Sequence, residues 1–289
     1  MMYLFAKTFF SFSSKLSRET ALELGEKIGS TFWRLGYRKK VILKNLDIAF
    51  PEKEKEWKEK TGEKSLQSIG RTLVEFPKLP EYVKNKDIDR IFVIEEGEEI
   101  LKEKGGKIIV SAHIGNWELG GAGISRKYGK IVSLAYRLKN KKLNSLITQI
   151  RESSGMKIIF HDQPLKDFLK ALREGMTIVF LVDQNALRHR GVFVDFFSLP
   201  ASTVSFPAKL SAKYGYPIIF SYQYYDFKTR IYKGVVKNLE IPDRKDVKSI
   251  VQSYTKEVEI AVRKHPEQYF WVHKRWKTRP EGEPENLYT

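Results

Sequence analysis

Apolar residues near the start of the chain recur at steps of three and four, which is the spacing of one helix face. This stripe consists of Ala21, Leu24, Ile28, Phe32 and Leu35. The pattern predicts that residues 1–50 are helical. Further aromatic side chains precede the stripe and enlarge the apolar surface of the segment: Phe5, Phe9, Phe10 and Phe12.

The pattern changes near residue 105, where short β-branched runs begin to alternate with helical periodicity. The runs span residues 107–112, 130–135, 156–160, 177–182, 217–222 and 230–241. Amphipathic segments separate the first four and a helical segment follows the last, at 118–127, 140–152, 164–174 and 246–265. This alternation predicts an α/β fold with a central, mostly parallel or mixed sheet flanked by helices. The last two runs are joined by a short polar turn, so we expect them to pair antiparallel.

The same change suggests how the chain is organised. Residues 1–104 are interpreted as an N-terminal helical region with an amphipathic arm, and residues 105–289 as the α/β core, which is expected to be one continuous domain. Residues 51–64 carry closely spaced charges of alternating sign, which is typical of a solvated helix face or a linker.

Charge limits the classes of partner. The 289 residues include 52 Lys and Arg against 35 Asp and Glu, a formal net charge of +17. Such a balance favours nucleic acid, an anionic membrane surface or an acidic small molecule. The absence of Cys excludes disulfides, thiolate nucleophiles and Cys-ligated zinc.

The N-terminal segment is both basic and aromatic. Residues 1–44 contain nine Lys or Arg and three Glu, and such an amphipathic segment suits the surface of an anionic bilayer. The alternative is a helix packed on the core with a solvated basic face. The sequence has no run of apolar residues long enough for an ordinary transmembrane helix. Residues 1–19 also lack the features of a signal peptide, so export is not expected.

One β-rich run ends in a histidine, within KIIVSAHIGNWELGG at 107–121. On a helix, His113 and Glu118 would lie about 140° apart, and on a strand they would face opposite ways. The spacing makes sense if the strand ends near His113, Gly115 permits a tight turn and a helix begins near Trp117. His113 then lies at the carboxyl end of a strand, where open α/β sheets bind ligands. Glu118 lies in the first helical turn, where the helix dipole favours its charge.

A carboxylate at that place can hold one imidazole nitrogen of His113 and leave the other to accept a proton from a hydroxyl. The alternative is a buried histidine with an incidental glutamate at a helix start. The intervening Gly-Asn-Trp favours the functional interpretation. The chain has no His pair with metalloprotease spacing, no Gly-x-Ser-x-Gly elbow and no P-loop. The simplest reaction is therefore deprotonation of a hydroxyl that a substrate brings.

The segment HIGNWE resembles the His-x4-Glu signature of the late acyltransferases of lipid A biosynthesis, the lauroyl and myristoyl transferases. Phosphatidylinositol mannoside acyltransferases are related to that family. Four further blocks resemble the family in order, so the similarity covers most of the chain. They are residues 38–52 (RKKVILKNLDIAFPE), 136–155, 177–219 and 266–280 (PEQYFWVHKRWKTRP).

The resemblance implies a membrane-associated O-acyltransferase at the cytoplasmic face of the bacterial inner membrane. It would move a fatty acyl chain from acyl carrier protein or coenzyme A to a hydroxyl of a lipid A precursor. It implies His113 as general base, Glu118 as its partner and Arg151 as a donor to the developing oxyanion. Asp183 ends a strongly apolar strand and is expected near His113 or paired with Arg151, unless it caps a helix. No metal or tightly bound cofactor is implied. The implied partners are acyl carrier protein, a glycolipid acceptor and an anionic membrane surface.

Six residues are candidates for substrate binding: Asn116, Trp117, Arg137, Gln184, Arg188 and Arg190. Arginines suit bidentate recognition of phosphate, although the cluster at 188–190 would also suit a solvated surface. Asn116 and Trp117 are expected to shape the turn and the acyl pocket. The aromatic stretch FVDFF at 193–197 is expected in the core rather than along an acyl tunnel.

Three alternative functions stay open at this point. A glycerolipid acyltransferase uses the same chemistry with a His-x4-Asp signature, against which Glu118 argues mildly. A nucleic-acid-binding protein would suit the net charge, but the basic residues are spread along the chain and no binding motif is present. A non-catalytic membrane-associated relative would bind lipid without needing His113.

Overall fold

Residues 2–75 form four helices. The computed structural model describes residues 2–284 and 287–288. The helices are α1 (Met2–Ser14), α2 (Arg18–Arg34), α3 (Lys39–Ala49) and α4 (Lys55–Glu75). The helical prediction for residues 1–50 is therefore confirmed, except that residue 1 lies outside the described residues. The charge-dense segment at 51–64 lies mostly within α4, whose charged face points to solvent.

Helices α2 and α4 pack with their backbones almost in contact. A Cβ atom placed on Gly70 would lie 2.0 Å from the carbonyl oxygen of Gly25, and one on Gly29 would lie 2.4 Å from Gln67. The apolar stripe of α2 is buried at Ala21 but ends in the solvent at Leu35, which is 76% exposed. Leu24 and Ile28 are partly buried, so the packing of the stripe decreases along the helix.

The remaining elements form a seven-stranded sheet, a separate two-stranded hairpin and the helices that flank them. The strands are β1 (Phe92–Glu96), β2 (Lys107–Ser111), β3 (Ile131–Ala135), β4 (Lys157–Phe160), β5 (Thr177–Leu181), β6 (Gly191–Phe196), β7 (Leu199–Val204), β8 (Ile218–Asp226) and β9 (Ile231–Asn238). The helices are α5 (Leu79–Lys84), α6 (Ile88–Ile91), α7 (Glu98–Lys102), α8 (Trp117–Tyr128), α9 (Lys141–Ser153), α10 (Leu165–Arg173), α11 (Phe206–Tyr214) and α12 (Val247–Lys264), with short 3-10 turns at Phe76–Lys78, Arg188–Arg190 and Pro266–Gln268.

The strand order is β1-β9-β8-β2-β5-β3-β4. Strands β8, β2, β5, β3 and β4 run parallel to one another. Strand β9 is antiparallel to β8, and the edge strand β1 is parallel to β9. The predicted α/β class with a mostly parallel or mixed sheet is confirmed, as is the antiparallel pairing of β8 and β9. Three strands were not predicted: the edge strand β1, and the strands β6 and β7 of a separate hairpin.

The sheet separates two buried apolar clusters. One contains Phe180 and Phe220 together with Trp33, Ile42 and Leu46 of the N-terminal helices. Residues on both sides of position 104 therefore contribute to one core, and β1 joins residues before that position to the sheet. Phe196 and Phe197 of the FVDFF stretch lie in this same cluster, as expected. The predicted ranges also include residues 285, 286 and 289, which lie outside the described residues.

None of the helices described at 2–284 is both long and apolar enough to cross a bilayer.

Candidate active site

His113 and Asp183 meet at the carboxyl edge of the sheet. Strands β2 and β5 are parallel neighbours in which Ser111 pairs with Leu181, and the backbone N–H of Val182 extends the ladder to the carbonyl of Ser111 at 2.9 Å. Each residue of the pair follows its strand by two positions, so their side chains face one another. Nδ1 of His113 lies 2.8 Å from Oδ1 of Asp183. The expectation that Asp183 lies near His113 is met.

Asp183 is an ionised carboxylate in a buried position. Its side chain is 1% exposed, against 15% for His113. Burial alone would raise the pKa of Asp183, but the nearby charge of His113 and its hydrogen bond outweigh burial and hold the pKa below its usual value. An ionised acceptor at Nδ1 fixes the proton on that nitrogen and directs Nε2 away from the carboxylate.

Glu118 does not hold the imidazole, which corrects the pairing expected from the sequence. Its two carboxylate oxygens accept hydrogen bonds from Nε and Nη2 of Arg151, at 2.9 and 2.5 Å. Arg151 comes from the end of α9 (Lys141–Ser153). This two-point pairing is strong and fixes the plane of the guanidinium relative to that of the carboxylate. The partner of His113 is therefore Asp183, and Glu118 instead orients an arginine.

The turn between β2 and α8 has the predicted form. Strand β2 ends at Ser111, Gly115 has a left-handed φ of 58°, and α8 begins at Trp117. A Cβ atom on Gly115 would lie 2.7 Å from the carbonyl oxygen of Gln223, so only glycine fits. Asn116 caps the helix because its Oδ1 accepts a hydrogen bond from the N–H of Leu119 at 3.0 Å.

Two aromatic rings pack against the imidazole. The centroid of Trp117 lies 4.9 Å from that of His113, in an edge-on arrangement, and the ring of Phe270 lies at 5.4 Å. The backbone N–H of Phe270 also donates to the carbonyl of His113 at 3.0 Å. The imidazole is thus held by a hydrogen bond to Asp183 at one nitrogen and by rings at its sides.

His113 opens into a cleft of about 520 Å³ whose surface is mainly apolar. Trp117, Arg151, Gln184 and Arg190 of the predicted site residues also line it. Its apolar lining comes from strands β3, β4, β5 and β7, helix α9 and two loops: Leu134, Leu138, Ile147, Phe160, Phe180, Leu181, Leu187 and Val204. The size and composition suit an apolar group whose reactive end reaches the histidine.

Three predicted substrate-binding residues do not line the cleft. Asn116 is buried as a helix cap. Arg137 is half exposed at the rim, where it pairs with Asp162 at 2.9 Å and lies over the ring of Phe160 at 3.9 Å. Arg188 donates through Nη2 to the carbonyl of Arg279 at 2.7 Å, which ties the 188–190 turn to the C-terminal segment.

Sequence reasoning did not single out the residues that the C-terminal segment brings to the site. The hydroxyl of Tyr269 donates to the carbonyl of Asp183 at 3.3 Å. His273 accepts a hydrogen bond from the N–H of Asn185 at Nδ1 (3.5 Å), and burial lowers the pKa of His273 to about 4, so its imidazole is neutral. Arg275 is fully buried and donates to the carbonyl of Ser202 at 2.8 Å. The block at 266–280 was the available signal, but it did not specify which side chains approach Asp183.

An α/β protein with a carboxylate-bound histidine at the end of an apolar cleft is suited to moving an apolar group onto a hydroxyl. Residues 3–278 match the sequence profile of the bacterial lipid A biosynthesis acyltransferases. The chain belongs to that family, as the resemblance implied, and is an acyltransferase.

Individual relatives are similar over most of the chain. The lipid A biosynthesis lauroyltransferase of Escherichia coli K12 is 25% identical over 252 residues, covering 86% of this chain and 81% of the relative. A lipid A biosynthesis acyltransferase of Haemophilus influenzae is 28% identical over 266 residues, covering 88% and 83%. A phosphatidylinositol mannoside acyltransferase of Mycobacterium tuberculosis is 25% identical over 219 residues, covering 73% and 69%.

Proposed function

We propose that this acyltransferase moves a fatty acyl chain from an acyl thioester, carried by acyl carrier protein or coenzyme A, to a hydroxyl of a lipid A precursor. The observation that carries the proposal is the hydrogen bond between His113 and Asp183 at the end of an apolar cleft, in a chain of the lipid A acyltransferase family.

In this proposal His113 is the general base. Asp183 holds Nδ1 with its proton, so Nε2 accepts the proton of the acceptor hydroxyl as the hydroxyl oxygen attacks the thioester carbonyl. The imidazolium that forms is stabilised by the adjacent buried carboxylate. The tetrahedral adduct then collapses, the C–S bond breaks, and the imidazolium returns its proton to the leaving thiolate. No acyl-enzyme is formed, and no cofactor is needed.

In the same proposal Arg151, which lines the cleft, stabilises the oxyanion of that adduct. Glu118 binds Nε and Nη2, which leaves Nη1 for a substrate oxygen. Burial acts to lower the pKa of Arg151, but Glu118 more than offsets this and raises the pKa, so the guanidinium stays charged. A fixed positive donor that needs no rearrangement during the reaction is what developing charge requires.

The net charge and the exposed apolar side chains of α1 support binding to a membrane surface and to an anionic acceptor. The net charge of +17 suits both an acidic carrier protein and the cytoplasmic face of an anionic inner membrane. Helix α1 exposes Phe5 (74%) and Leu4 (65%) beside Lys7, which supports peripheral insertion into the bilayer surface. Arg190 at the cleft and Arg137 at its rim suit the phosphates of the acceptor.

The proposal is tested by offering a mixture of acyl carrier protein thioesters and a phosphorylated lipid A precursor, with product masses read by mass spectrometry. The wild type should add one acyl mass, and His113→Ala should abolish the product. His265→Ala is the matched control, since His265 stacks on Tyr224 outside the cleft. Acylation of lysophosphatidate or another lipid alone would show that the acceptor is wrong, and an active His113→Ala would refute the mechanism.

A further inference from the structure

The last turn of α4 ends in a buried carboxylate that the proposed mechanism does not use. The side chain of Glu75 is 0% exposed. Its Oε2 accepts hydrogen bonds from the hydroxyl of Tyr232 at 2.6 Å and from Nδ2 of Asn116 at 3.2 Å, and its Oε1 accepts one from Nε of Arg18 at 3.3 Å. A buried carboxylate is costly without partners, so each of these contacts constrains the groups around it.

The contact with Asn116 decides which way that amide faces. Asn116 uses Nδ2 for Glu75 and Oδ1 for the N–H of Leu119. Burial raises the pKa of Glu75, but both of its oxygens already face donors, Oε1 that of Arg18 and Oε2 that of Tyr232. Glu75 therefore acts as an acceptor and selects the orientation in which Nδ2 of Asn116 faces Glu75 and Oδ1 faces the helix. With the amide reversed, an NH2 group would face the N–H of Leu119 and the cap would be lost.

A second side chain of the same helix turn holds the neighbouring residue. The hydroxyl of Thr72, one turn before Glu75, lies 3.1 Å from the carbonyl oxygen of Gly115 and 3.2 Å from that of Ser68, and its one proton is shared between them. Side chains of α4 thus hold residues 115 and 116. These two residues lie between His113 and Glu118 in the chain. The position of α8's first turn, and with it the Glu118–Arg151 pair, depends on this attachment.

We infer that Glu75 is a positioning residue of the active site. It acts through Asn116 on the start of α8 and so sets the place of Arg151 relative to His113. This inference rests on the proposed function for its kinetic consequence. Displacements of about 1 Å in a catalytic group can cost up to about 100-fold in rate.

The test compares two variants of this cluster: Glu75→Gln exchanges one acceptor oxygen for an NH2 donor, and Tyr232→Phe removes one hydrogen bond to Oε2. Glu75→Gln loses the acceptor that orients Asn116, whereas Tyr232→Phe leaves the contact between Glu75 and Asn116 intact. We expect Glu75→Gln to lower kcat about 10- to 100-fold with KM changed less than threefold, and Tyr232→Phe to stay within threefold of wild type. Melting curves of both variants give the folded fraction to which each kcat is normalised.

A reciprocal exchange makes the test specific for orientation. Asn116→Asp alone puts a second carboxylate beside Glu75 and should lower kcat at least as much as Glu75→Gln. Combining the two changes restores a donor facing an acceptor and keeps an oxygen at the N–H of Leu119. The double variant should therefore recover at least tenfold in kcat over Asn116→Asp.

Hydrogen exchange of the Leu119 amide measures the effect of Glu75 on the Asn116 cap independently of catalysis. Exchange should accelerate in Glu75→Gln and stay near wild type in Tyr232→Phe. Equal normalised kcat in both variants, no recovery in the double variant, or unchanged exchange at Leu119 would overturn the inference. A wild type that transfers no acyl group to any lipid would instead refute the proposed function, and the exchange measurement would still decide the role of Glu75.

Discussion

His113 and Asp183 occupy equivalent positions on neighbouring parallel strands, each two residues beyond the paired Ser111 and Leu181. The distance of 2.8 Å between Nδ1 and Oδ1 is therefore set by the sheet ladder rather than by a flexible loop. Because both strands are buried and hydrogen-bonded on each side, the pair is preorganised before any substrate binds.

Replacing Asp183 by Asn should lower kcat by about 100- to 10,000-fold while leaving the fold intact. An amide can present either an acceptor or a donor to Nδ1, so it no longer fixes the proton there or stabilises the imidazolium. Steady-state acyl transfer measures the loss. Asp195→Asn, at an exposed position of β6, should match wild type. Equal activity of both variants would exclude Asp183 from the mechanism.

Arg151→Lys should retain the positive charge but lose the two-point contact with Glu118. We expect kcat to fall about 10- to 100-fold, since an ammonium cannot bind the carboxylate and the oxyanion in the same fixed geometry. Glu118→Gln should produce a smaller loss of the same kind. Single-turnover measurements separate this effect from substrate binding. If Glu118→Gln abolished transfer while Arg151→Lys had no effect, Glu118 would act directly and not through Arg151.

His273 predicts a pH dependence of stability. Its pKa is about 4 in the folded protein against an ordinary 6.5, so the unfolded chain binds the proton more readily. The contribution of His273 to the free energy of unfolding is fully present above about pH 6.5 and is lost as the pH falls towards 4. The total loss is at most about 3 kcal/mol. Denaturant unfolding across this range should show the slope, and His273→Gln should reduce it. An unchanged slope in the variant would assign the dependence to other groups.

Phe5→Asp should weaken binding to vesicles of anionic phospholipid by about tenfold or more, since a buried aromatic side chain contributes about 1.5–3 kcal/mol. Co-sedimentation at low and high salt measures the affinity, which should also fall with salt. Tyr214→Asp is the control, because Tyr214 is exposed at the opposite edge of the sheet from the cleft, at the end of α11. Equal binding of the two variants would remove α1 from the membrane contact.

Local pattern predicted the elements around the site closely. The run before His113, the glycine at 115 and the helical periodicity after Trp117 each depend on neighbouring residues, so strand, turn and helix could be placed from the sequence. The edge strand β1 was missed because its five residues lie between short helices in a charged region. The hairpin of β6 and β7 was missed because its aromatic residues indicated burial without indicating the pairing partner.

The sequence by itself determined that a histidine would stand at the carboxyl end of a strand, with an acidic residue in the next helix and an aspartate at the end of a second apolar strand. Only the tertiary structure decided which carboxylate binds the imidazole. Strand β5 lies beside β2, although β3 and β4 intervene in the chain, and this order brings Asp183 to His113 while α9 brings Arg151 to Glu118. The spacing of apolar residues along the sequence indicates which face of a helix or strand is buried. The neighbour of each strand is set by how all the elements pack together, and a pair of side chains 70 residues apart depends on that packing.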